Sequence, residues 1–481
     1  MQLSTKVAYN TIIQVISKVI ATALGLIAIA FITRYLGQEG FGEYTTIMTF
    51  LSFFGIIADL GLTLVTVQMI SRPDVDQNKI LGNLLGLRLV SAIIFLGLAP
   101  LVVLFFPYDP IIKIGIAITT LSFLFIALNQ ILVGLFQKNL RLDKVSIAEV
   151  AGRVILVAAV FLVIKYGYGL IGIMVATVLA GGVNFLLHYI FSRQFARITL
   201  LFDIKVWKKI ISLSWPLALT IIFNLIYLKT DTLLLSLIKR PSEIGLIAEV
   251  GIYGAAYKVI DVLITFPFMF AGIILPILTA RWALKDLDSF KTILQKSFDI
   301  LIIIAIPLVI GTQLLAREVM VLVAGEEFAV SGPILQVLIL AAFFIFLGNI
   351  FAHAIIAIDK QKKIIGAYCF TAITAVIGYF VVIPRFSYFG AAWVTIYSEA
   401  AIALASIFLI WKFTRFFPSL KILFKSAIAS GVMAVAVYAS YLAGLQNLGL
   451  VLSVSIITYF ISLFALKGLT KEDILILFNK N

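Results

Sequence analysis

The sequence predicts an all-α polytopic membrane protein with about 14 transmembrane helices. The composition supports this fold class, because 62% of the residues are hydrophobic and 12% are charged, whereas a soluble domain has roughly 25% charged residues. The pattern supports it too, because apolar runs long enough to cross a bilayer, which takes about 20 residues, alternate with short polar connections. These runs lie at residues 7–33, 44–70, 83–106, 111–136, 146–164, 170–191, 207–238, 250–280, 294–315, 332–358, 364–383, 389–411, 422–443 and 448–466.

The distribution of basic residues predicts the orientation of the chain. In the connections, tails and helix ends, 25 of the 37 Lys and Arg residues lie on the side of the N-terminus and 7 on the other side, while 5 lie inside runs. Positive residues near helix ends stay on the cytoplasmic side of a membrane. We therefore expect a multi-pass protein of the cell membrane with both termini in the cytoplasm, and the net charge of +14 indicates topology, so no nucleic-acid partner is expected.

Composition also argues against several kinds of chemistry. A single cysteine, Cys369, excludes a disulfide framework or a thiolate metal site, and two histidines, His188 and His353, give no zinc-type spacing. Two acidic triplets of the form Asp-x-Asp, at residues 74–76 and 286–288, resemble a motif that binds a metal-bound nucleotide in glycosyltransferases. They are better explained as helix N-caps and solvated acids, because the connections leave no room for a nucleotide-binding domain. We predict no catalytic residue, no metal site and no cofactor.

Short matches at a nearly constant offset indicate an internal repeat. Residues 42–44 match 251–253 at an offset of 209, the acidic triplets repeat at 212, Asn129 matches Asn349 at 220, and residues 172–177 match 390–395 at 218. This order predicts two parallel six-helix lobes at residues 1–200 and 201–415, followed by two extra helices and a short tail at 416–481. Parallel repeats of this kind are typical of transporters that move two halves around a central site.

Charged residues inside the runs are the main candidates for function. A Lys or Arg at a helix centre costs about 2.5–3.5 kcal/mol on insertion scales, so each must face a partner or water. Some can pair within their own helix, as Glu149 with Arg153 and Lys258 with Asp261, and Arg88 could reach the membrane surface. The basic residues are Lys18, Arg88, Arg153, Lys229 and Lys258, and the acids are Asp59, Glu149, Asp231, Asp261, Asp299 and Glu399.

Polar stripes on the first helix of each predicted lobe point to a hydrated cavity. Asn10, Gln14, Lys18 and Thr22 recur every four residues, and Thr220, Asn224, Tyr227 and Asp231 follow a similar helical spacing. Such stripes can also bind helices together, but a stripe that includes a charge favours a cavity. We predict that substrate contacts come from Asn10, Gln14, Lys18, Arg88, Arg153, Asn224, Lys229 and Lys258. Asp59, Asp231, Asp261 and Glu399 are candidates for coupling to H⁺ or Na⁺.

Several segments resemble a known family. They are TRYLG at residues 33–37, GFGEY at 40–44, ADLGL at 58–62, KTDTLLL at 229–235 and VGIYGAAY at 250–257. These segments are similar to O-antigen-type flippases of the multidrug, oligosaccharidyl-lipid and polysaccharide exporter superfamily. The resemblance implies a V-shaped, two-lobed monomer that moves a polyprenyl-pyrophosphate-linked oligosaccharide to the outer leaflet, in association with a polysaccharide polymerase or assembly proteins.

Other functions remain open at this point. A drug or cation exporter of the same superfamily would need a cavity dominated by acids, whereas the charges inside the runs are nearly balanced. A peptidoglycan-precursor flippase fits the count of 14 runs, but the first helix offers only Lys18 where an arginine-rich surface is expected. A membrane glycosyltransferase would need a catalytic domain that the short connections do not hold, and an ion channel would need a filter-like loop.

Overall fold

The structure is a computed structural model in which helices account for all regular secondary structure of the described residues. It describes residues 3–59, 61–70, 76–445 and 447–469, without the side chains of residues 3–12, 64, 68, 216, 217 and 220. The helices are α1 Leu3–Asp59, α2 Leu62–Ile70, α3 Gln77–Val102, α4 Pro110–Lys138, α5 Leu142–Tyr166, α6 Gly169–Ser192, α7 Ile204–Leu237, α8 Leu246–Ala283, α9 Leu287–Ala324, α10 Gly332–Ala357, α11 Gln361–Thr414, α12 Lys421–Leu442 and α13 Leu448–Ala465. Two 3₁₀ turns, Val103–Phe105 and Glu326–Ser331, extend α3 and precede α10.

Helix α1 contains the predicted run 7–33 and the first part of the run 44–70, and α11 contains the runs 364–383 and 389–411. In α1 the backbone reverses at Gly37, which has φ 66° and ψ −170°, a conformation that glycine adopts without the steric cost of a Cβ. In α11 it reverses at Ser387, with φ 50° and ψ −133°. Eleven helical segments of the described chain are long and apolar enough to cross a membrane. The prediction of an all-α polytopic membrane protein is confirmed.

Asp76, from the first triplet, and Asp286, from the second, lie at helix starts. The Asp76 carboxylate accepts hydrogen bonds from the backbone amides of Asn78 and Lys79, at the start of α3. Asp286, in the connection before α9, accepts one from the amide of Ser289 at 3.1 Å, and hydrogen bonding to Ser289 lowers the pKa of its carboxyl group. These contacts satisfy amides that would otherwise lack a partner. Capping thus explains both acids, while Asp74 lies outside the described residues.

The chain forms two compact units. Unit 1 comprises Met1–Gly254 with Val323–Glu327, and unit 2 comprises Ala255–Leu322 with Phe328–Asn481. Helix α7 belongs to unit 1, where it packs against α1, α2 and α3, although the sequence assigned it to a second lobe. In unit 2, α12 and α13 pack against each other and against α9, and the Tyr459 hydroxyl donates to the carbonyl of Ile303 at 2.6 Å. The division into compact units reflects packing and does not test the internal repeat, so the two predicted lobes stay a prediction.

The second arm of α1 and the first turns of α8 cross in close, reciprocal contact within unit 1. A Cβ on Gly42 would lie 1.8 Å from the carbonyl oxygen of Ile247, and a Cβ on Gly251 would lie 2.0 Å from that of Gln38. Both glycines and both carbonyls are related by the offset of 209 residues found in the sequence. Each backbone therefore fits against the other only because neither glycine has a side chain. This is the contact pattern that a two-fold axis through the crossing would produce.

The connection between α6 and α7 is fixed along α3. The amide of Leu201 donates to the carbonyl of Gly82 at 3.1 Å, and the amide of Asp203 donates to Oδ1 of Asn83 at 2.8 Å. Further back, the amide of Arg197 donates to Oδ1 of Asn78 at 3.1 Å. These bonds satisfy backbone groups of a non-helical segment at residues 193–203. We call this segment the α3 strap.

Replacing Gly42 with alanine should destabilise the protein, because the new methyl group would meet a backbone carbonyl that cannot move aside as a flexible side chain can. Overpacking of this kind costs about 1–3 kcal/mol. Gly97→Ala is the matched control, because no atom lies within 4 Å of its Cβ position. It should keep or slightly raise stability. The apparent Tm in detergent, read by size-exclusion of the heated protein, checks both, and equal melting of the two variants would contradict the close crossing.

Candidate functional site

Two basic side chains share one polar face of unit 1. Arg153 on α5 is exposed, and its Nη1 lies 3.7 Å from the position that a Cβ of Gly25 would occupy. Gly25 follows Lys18 by seven residues, which places them on the same face of α1 about 10 Å apart along the axis. Lys18 is half-buried. Neither side chain makes a hydrogen bond or an ion pair with another described residue, so both cations are available to a ligand. We call this pair the α1–α5 cationic face.

The stripe on α1 continues this face. Gln14 is exposed and Thr22 is half-buried, so this side of the helix is not packed against other described segments over its whole length. The side chain of Asn10 lies outside the described residues. The in-helix pair of Glu149 with Arg153 does not form within 4.0 Å, and the charge of Glu149 acts on His188 instead. The structure therefore gives Arg153 the exposure that the cavity interpretation requires.

Arg88 and Asp59 are bound to each other. Nη1 of Arg88 lies 2.6 Å from Oδ1 of Asp59 and donates to the carbonyl of Ala58 at 3.1 Å, while Nε donates to the carbonyl of Ala127 at 3.0 Å. Its second amino group donates to Gln130. The Arg88 side chain is 1% exposed, so it does not reach the membrane surface. This closed network joins α1, α3 and α4, and a role for either residue in transport stays a prediction.

A second polar cluster joins α4 and α6. Nδ2 of Asn129 donates to Oδ1 of Asn184 at 2.7 Å, and Nδ2 of Asn184 donates to the carbonyl of Ala148 at 3.3 Å. The ring of His188 shares a hydrogen bond with the carbonyl of Asn184 at 2.9 Å, and its Nε2 is buried without a partner among the described residues. Asn129 stood out in the sequence as a repeat marker. Asn184 did not, although its four-residue spacing from His188 was a usable signal.

The polar stripe of α7 is largely bonded within unit 1. The buried Asp231 accepts a hydrogen bond from the Tyr253 hydroxyl at 2.6 Å and from the amide of Thr232 at 2.5 Å. Nδ2 of Asn224 donates to the Tyr227 hydroxyl at 2.6 Å. Lys229 is half-buried, and its charge acts on Asp231. The side chain of Thr220, the first member of this stripe, lies outside the described residues.

The candidates in unit 2 differ sharply in their surroundings. Lys258 and Asp261 form the predicted in-helix ion pair, with 3.7 Å between Nζ and Oδ2. Asp299 accepts a hydrogen bond from Gln295 at 2.9 Å. Glu399 is buried in the second arm of α11 and makes no hydrogen bond or ion pair with any described residue. Pairing therefore accounts for Lys258 and Asp261 but leaves Glu399 without a structural explanation.

Several contacts join segments of unit 1 at the end of its helices where α1 bends at Gly37, which we call the kink end. Arg34 donates to the carbonyl of Val323 at 3.3 Å, and Gln38 donates to the carbonyl of Glu327 at 2.5 Å. Elsewhere the hydroxyls of Tyr108 and Ser236 share a hydrogen bond of 2.7 Å. Together with the crossing of Gly42 and Gly251, these contacts hold the kink end together. Sequence patterns could not indicate the contacts to residues 323–327, because they join positions 289 residues apart.

Comparison with known proteins connects this arrangement to a family. Residues 7–282, more than half of the chain, match the family described as polysaccharide biosynthesis protein. The chain belongs to this family. A protein of Shigella flexneri described as a proposed O-antigen transporter is 21% identical over 419 residues, which cover 84% of this chain and 97% of that protein. The resemblance found in the sequence is confirmed.

Solved structures show the same fold in transporters. The lipid II flippase MurJ in an inward closed conformation matches with a TM-score of 0.74 at 16% identity, over 94% of this chain and 98% of that one. A multidrug-resistance transporter of the MATE family in its inward-facing conformation matches with a TM-score of 0.66 at 16% identity, over 84% and 97%. Both share the fold of the multidrug, oligosaccharidyl-lipid and polysaccharide exporter superfamily. These likenesses show that the chain shares its fold with those transporters.

Removing Arg88 should destabilise the protein strongly. Arg88→Ala would leave the Asp59 carboxylate buried without its cation, and breaking one side of a buried pair costs about 3–5 kcal/mol. Arg153→Ala is the control, because that side chain has no ion partner among the described residues, and it should leave the Tm nearly unchanged. The double variant Arg88→Met with Asp59→Asn should recover much of the loss. Equal melting of Arg88→Ala and Arg153→Ala would contradict the network.

Proposed function

We propose that the protein translocates a polyprenyl-(pyro)phosphate-linked oligosaccharide from the cytoplasmic to the outer leaflet for surface polysaccharide biosynthesis. The α1–α5 cationic face is the observation that carries this proposal. Lys18 and Arg153 lie inside membrane-spanning helices, Lys18 half-buried and Arg153 exposed, and they have no counter-ion among the described residues. A cation without a counter-ion inside the bilayer has a high free-energy cost, so these two side chains indicate an anionic ligand.

A diphosphate suits these two cations. The Arg153 guanidinium can donate two parallel hydrogen bonds to phosphate oxygens, and the Lys18 ammonium acts as a compact point charge. The separation of about 10 Å along α1 allows a head group to contact both ends of the face. Polar side chains of the stripe, such as Gln14 and Thr22, would meet the sugar hydroxyls, while the prenyl chain stays in lipid. Lys229 and Lys258 are further candidates, although both already interact with neighbouring acids.

The orientation of the chain in the membrane determines which side the kink end faces. If both termini are cytoplasmic, as the distribution of Lys and Arg supports, the first arm of α1 ends at Gly37 on the outer side. The contacts of Arg34 and Gln38 and the glycine crossing then lie on the outer side of unit 1. The substrate would enter from the cytoplasmic leaflet. Movement of each negative charge outward gains about 2.3 kcal/mol per 100 mV when the cell interior is negative.

Two related transport functions are alternatives. An exporter of cationic drugs would need free carboxylates facing its cavity, whereas in unit 1 Asp59 is paired with Arg88 and Asp231 accepts hydrogen bonds from Tyr253 and Thr232. A flippase for a peptidoglycan lipid precursor shares the diphosphate chemistry and differs in the head group. Its support is the fold shared with MurJ, whose coverage extends over nearly the whole chain.

Alanine at Lys18 or Arg153 should abolish surface glycan in the host strain while the protein level in the membrane stays normal. Arg153→Lys should restore part of the activity, because it keeps the charge but loses the paired hydrogen bonds. Lys205→Ala is the control, since Lys205 is an exposed cation at the start of α7, far from the cationic face in the sequence. Immunodetection of surface glycan and of tagged protein measures the outcome. Normal glycan in the double variant of Lys18 and Arg153 would refute the proposal.

A further inference from the structure

The four acids that the sequence singles out for ion coupling do not have equal surroundings. Asp59 is paired with Arg88, and Asp261 with Lys258. Asp231 accepts hydrogen bonds from Tyr253 and Thr232. Each of these three carboxylates has partners that stabilise its charged form. Glu399 is the remaining member, and among the described residues it has no such partner.

The surroundings of Glu399 are tightly packed. The residue is 7% exposed, and the second arm of α11 buries Ala392, Ile402 and Ala403 alongside it. One turn further on, α10 approaches so closely that a Cβ on Gly348 would lie 2.9 Å from Cα of Ala403. The nearby hydroxyl of Ser398 donates to the carbonyl of Val394 in its own helix. No described residue donates a hydrogen bond to the Glu399 carboxylate in this conformation.

The ionisable groups around Glu399 do not supply a counter-charge. On the first arm of α11, the Tyr368 hydroxyl feels the charge of Glu399 and is not a cation. On α10 the one ionisable residue is His353, whose ring is bonded to the carbonyl of Asn349. On α8 the basic residue within the membrane-spanning part, Lys258, is already paired with Asp261. No described Lys, Arg or His lies within 4.0 Å of the carboxylate.

A carboxyl group at this position can be stabilised by a bound proton or by a bound metal cation. A bare ionised carboxylate in an apolar interior costs many kcal/mol, while the neutral acid costs only what an unpartnered polar group does. A bound metal cation would need several further oxygen ligands around it, and the described residues contain no group of three or more His, Cys, Asp or Glu side chains that could hold a metal ion. A proton needs no further ligand.

We propose that Glu399 is a proton-binding site, protonated in this conformation and deprotonated in a conformation that admits water to the second arm of α11. Only the O–H bond of the carboxyl group forms and breaks, and the proton comes from and returns to water. One such exchange per cycle would couple the movement of the substrate to the proton gradient. The coupling rests on the proposed function, whereas the protonation itself does not.

Infrared spectroscopy of the full-length protein in lipid nanodiscs tests the site directly. A protonated carboxyl group has a carbonyl absorption that is separate from that of a carboxylate, so a pH titration should show one such band that disappears in alkaline buffer. The band should be absent at all pH values in Glu399→Gln, which keeps shape and packing without an ionisable group. It should return at a shifted frequency in Glu399→Asp. Glu243→Gln, which changes an exposed acid in the connection before α8, is the control and should keep the band.

The outcomes separate the two proposals. A titrating band that persists in Glu399→Gln would overturn the proton site, and so would a band that responds to sodium chloride at constant pH, because that would indicate Na⁺. Surface glycan in the complemented host strain tests the coupling: collapse of the pH gradient by nigericin should reduce it strongly in the wild type and cause no further reduction in Glu399→Gln. Equal reduction by nigericin in both would overturn the coupling. A third outcome combines loss of the band in Glu399→Gln with normal surface glycan in the Lys18 and Arg153 variants. It would refute the flippase mechanism and leave the proton site standing.

Discussion

The absence of water in the bilayer core is the constraint that organises this molecule. A polar or charged group there must be bonded by the protein, lose its charge or face a hydrated space. The charged side chains described above can be sorted by these conditions. Arg88 and Asp59 satisfy each other, Asp231 is held by hydroxyl and amide donors, and Lys18 and Arg153 have no ion partner among the described residues. Sorting the charges in this way separates residues that hold the fold together from residues left for a ligand.

At the kink end, backbone contact replaces side-chain contact. Polar side chains at a crossing would each need a partner, whereas glycine lets two backbones meet directly. At Gly42 and Gly251 the approach is so close that a carbonyl oxygen occupies the place of a Cβ. Arg34 and Gln38 add side-chain contacts there, to the carbonyl of Val323 at the end of α9 and to that of Glu327 in the 3₁₀ turn that follows.

The sequence predicted the fold well, but the contacts of the candidate site residues depend on partners that lie far away along the chain. Hydrophobic runs reveal helices because their pattern is local. The offset of 209 residues relates Gly42 to Gly251 from the sequence alone. The sequence could not show that α1 and α11 each continue through a reversal, which depends on single residues, Gly37 and Ser387. Nor could it show that Arg88 meets Gln130, or Asn129 meets Asn184, because these partners lie 42 and 55 residues apart.

The α3 strap sets a limit on how this gene can vary or be engineered. Its amides are matched one by one to Asn78, Gly82 and Asn83, and a Cβ on Gly86 would lie 2.1 Å from the carbonyl oxygen of Leu201. An inserted or deleted residue would shift every one of these pairings. The α3 strap would therefore be a poor site for inserting a reporter protein, even though its sequence resembles an ordinary linker. Natural homologues should accordingly hold its length constant while its exposed side chains drift.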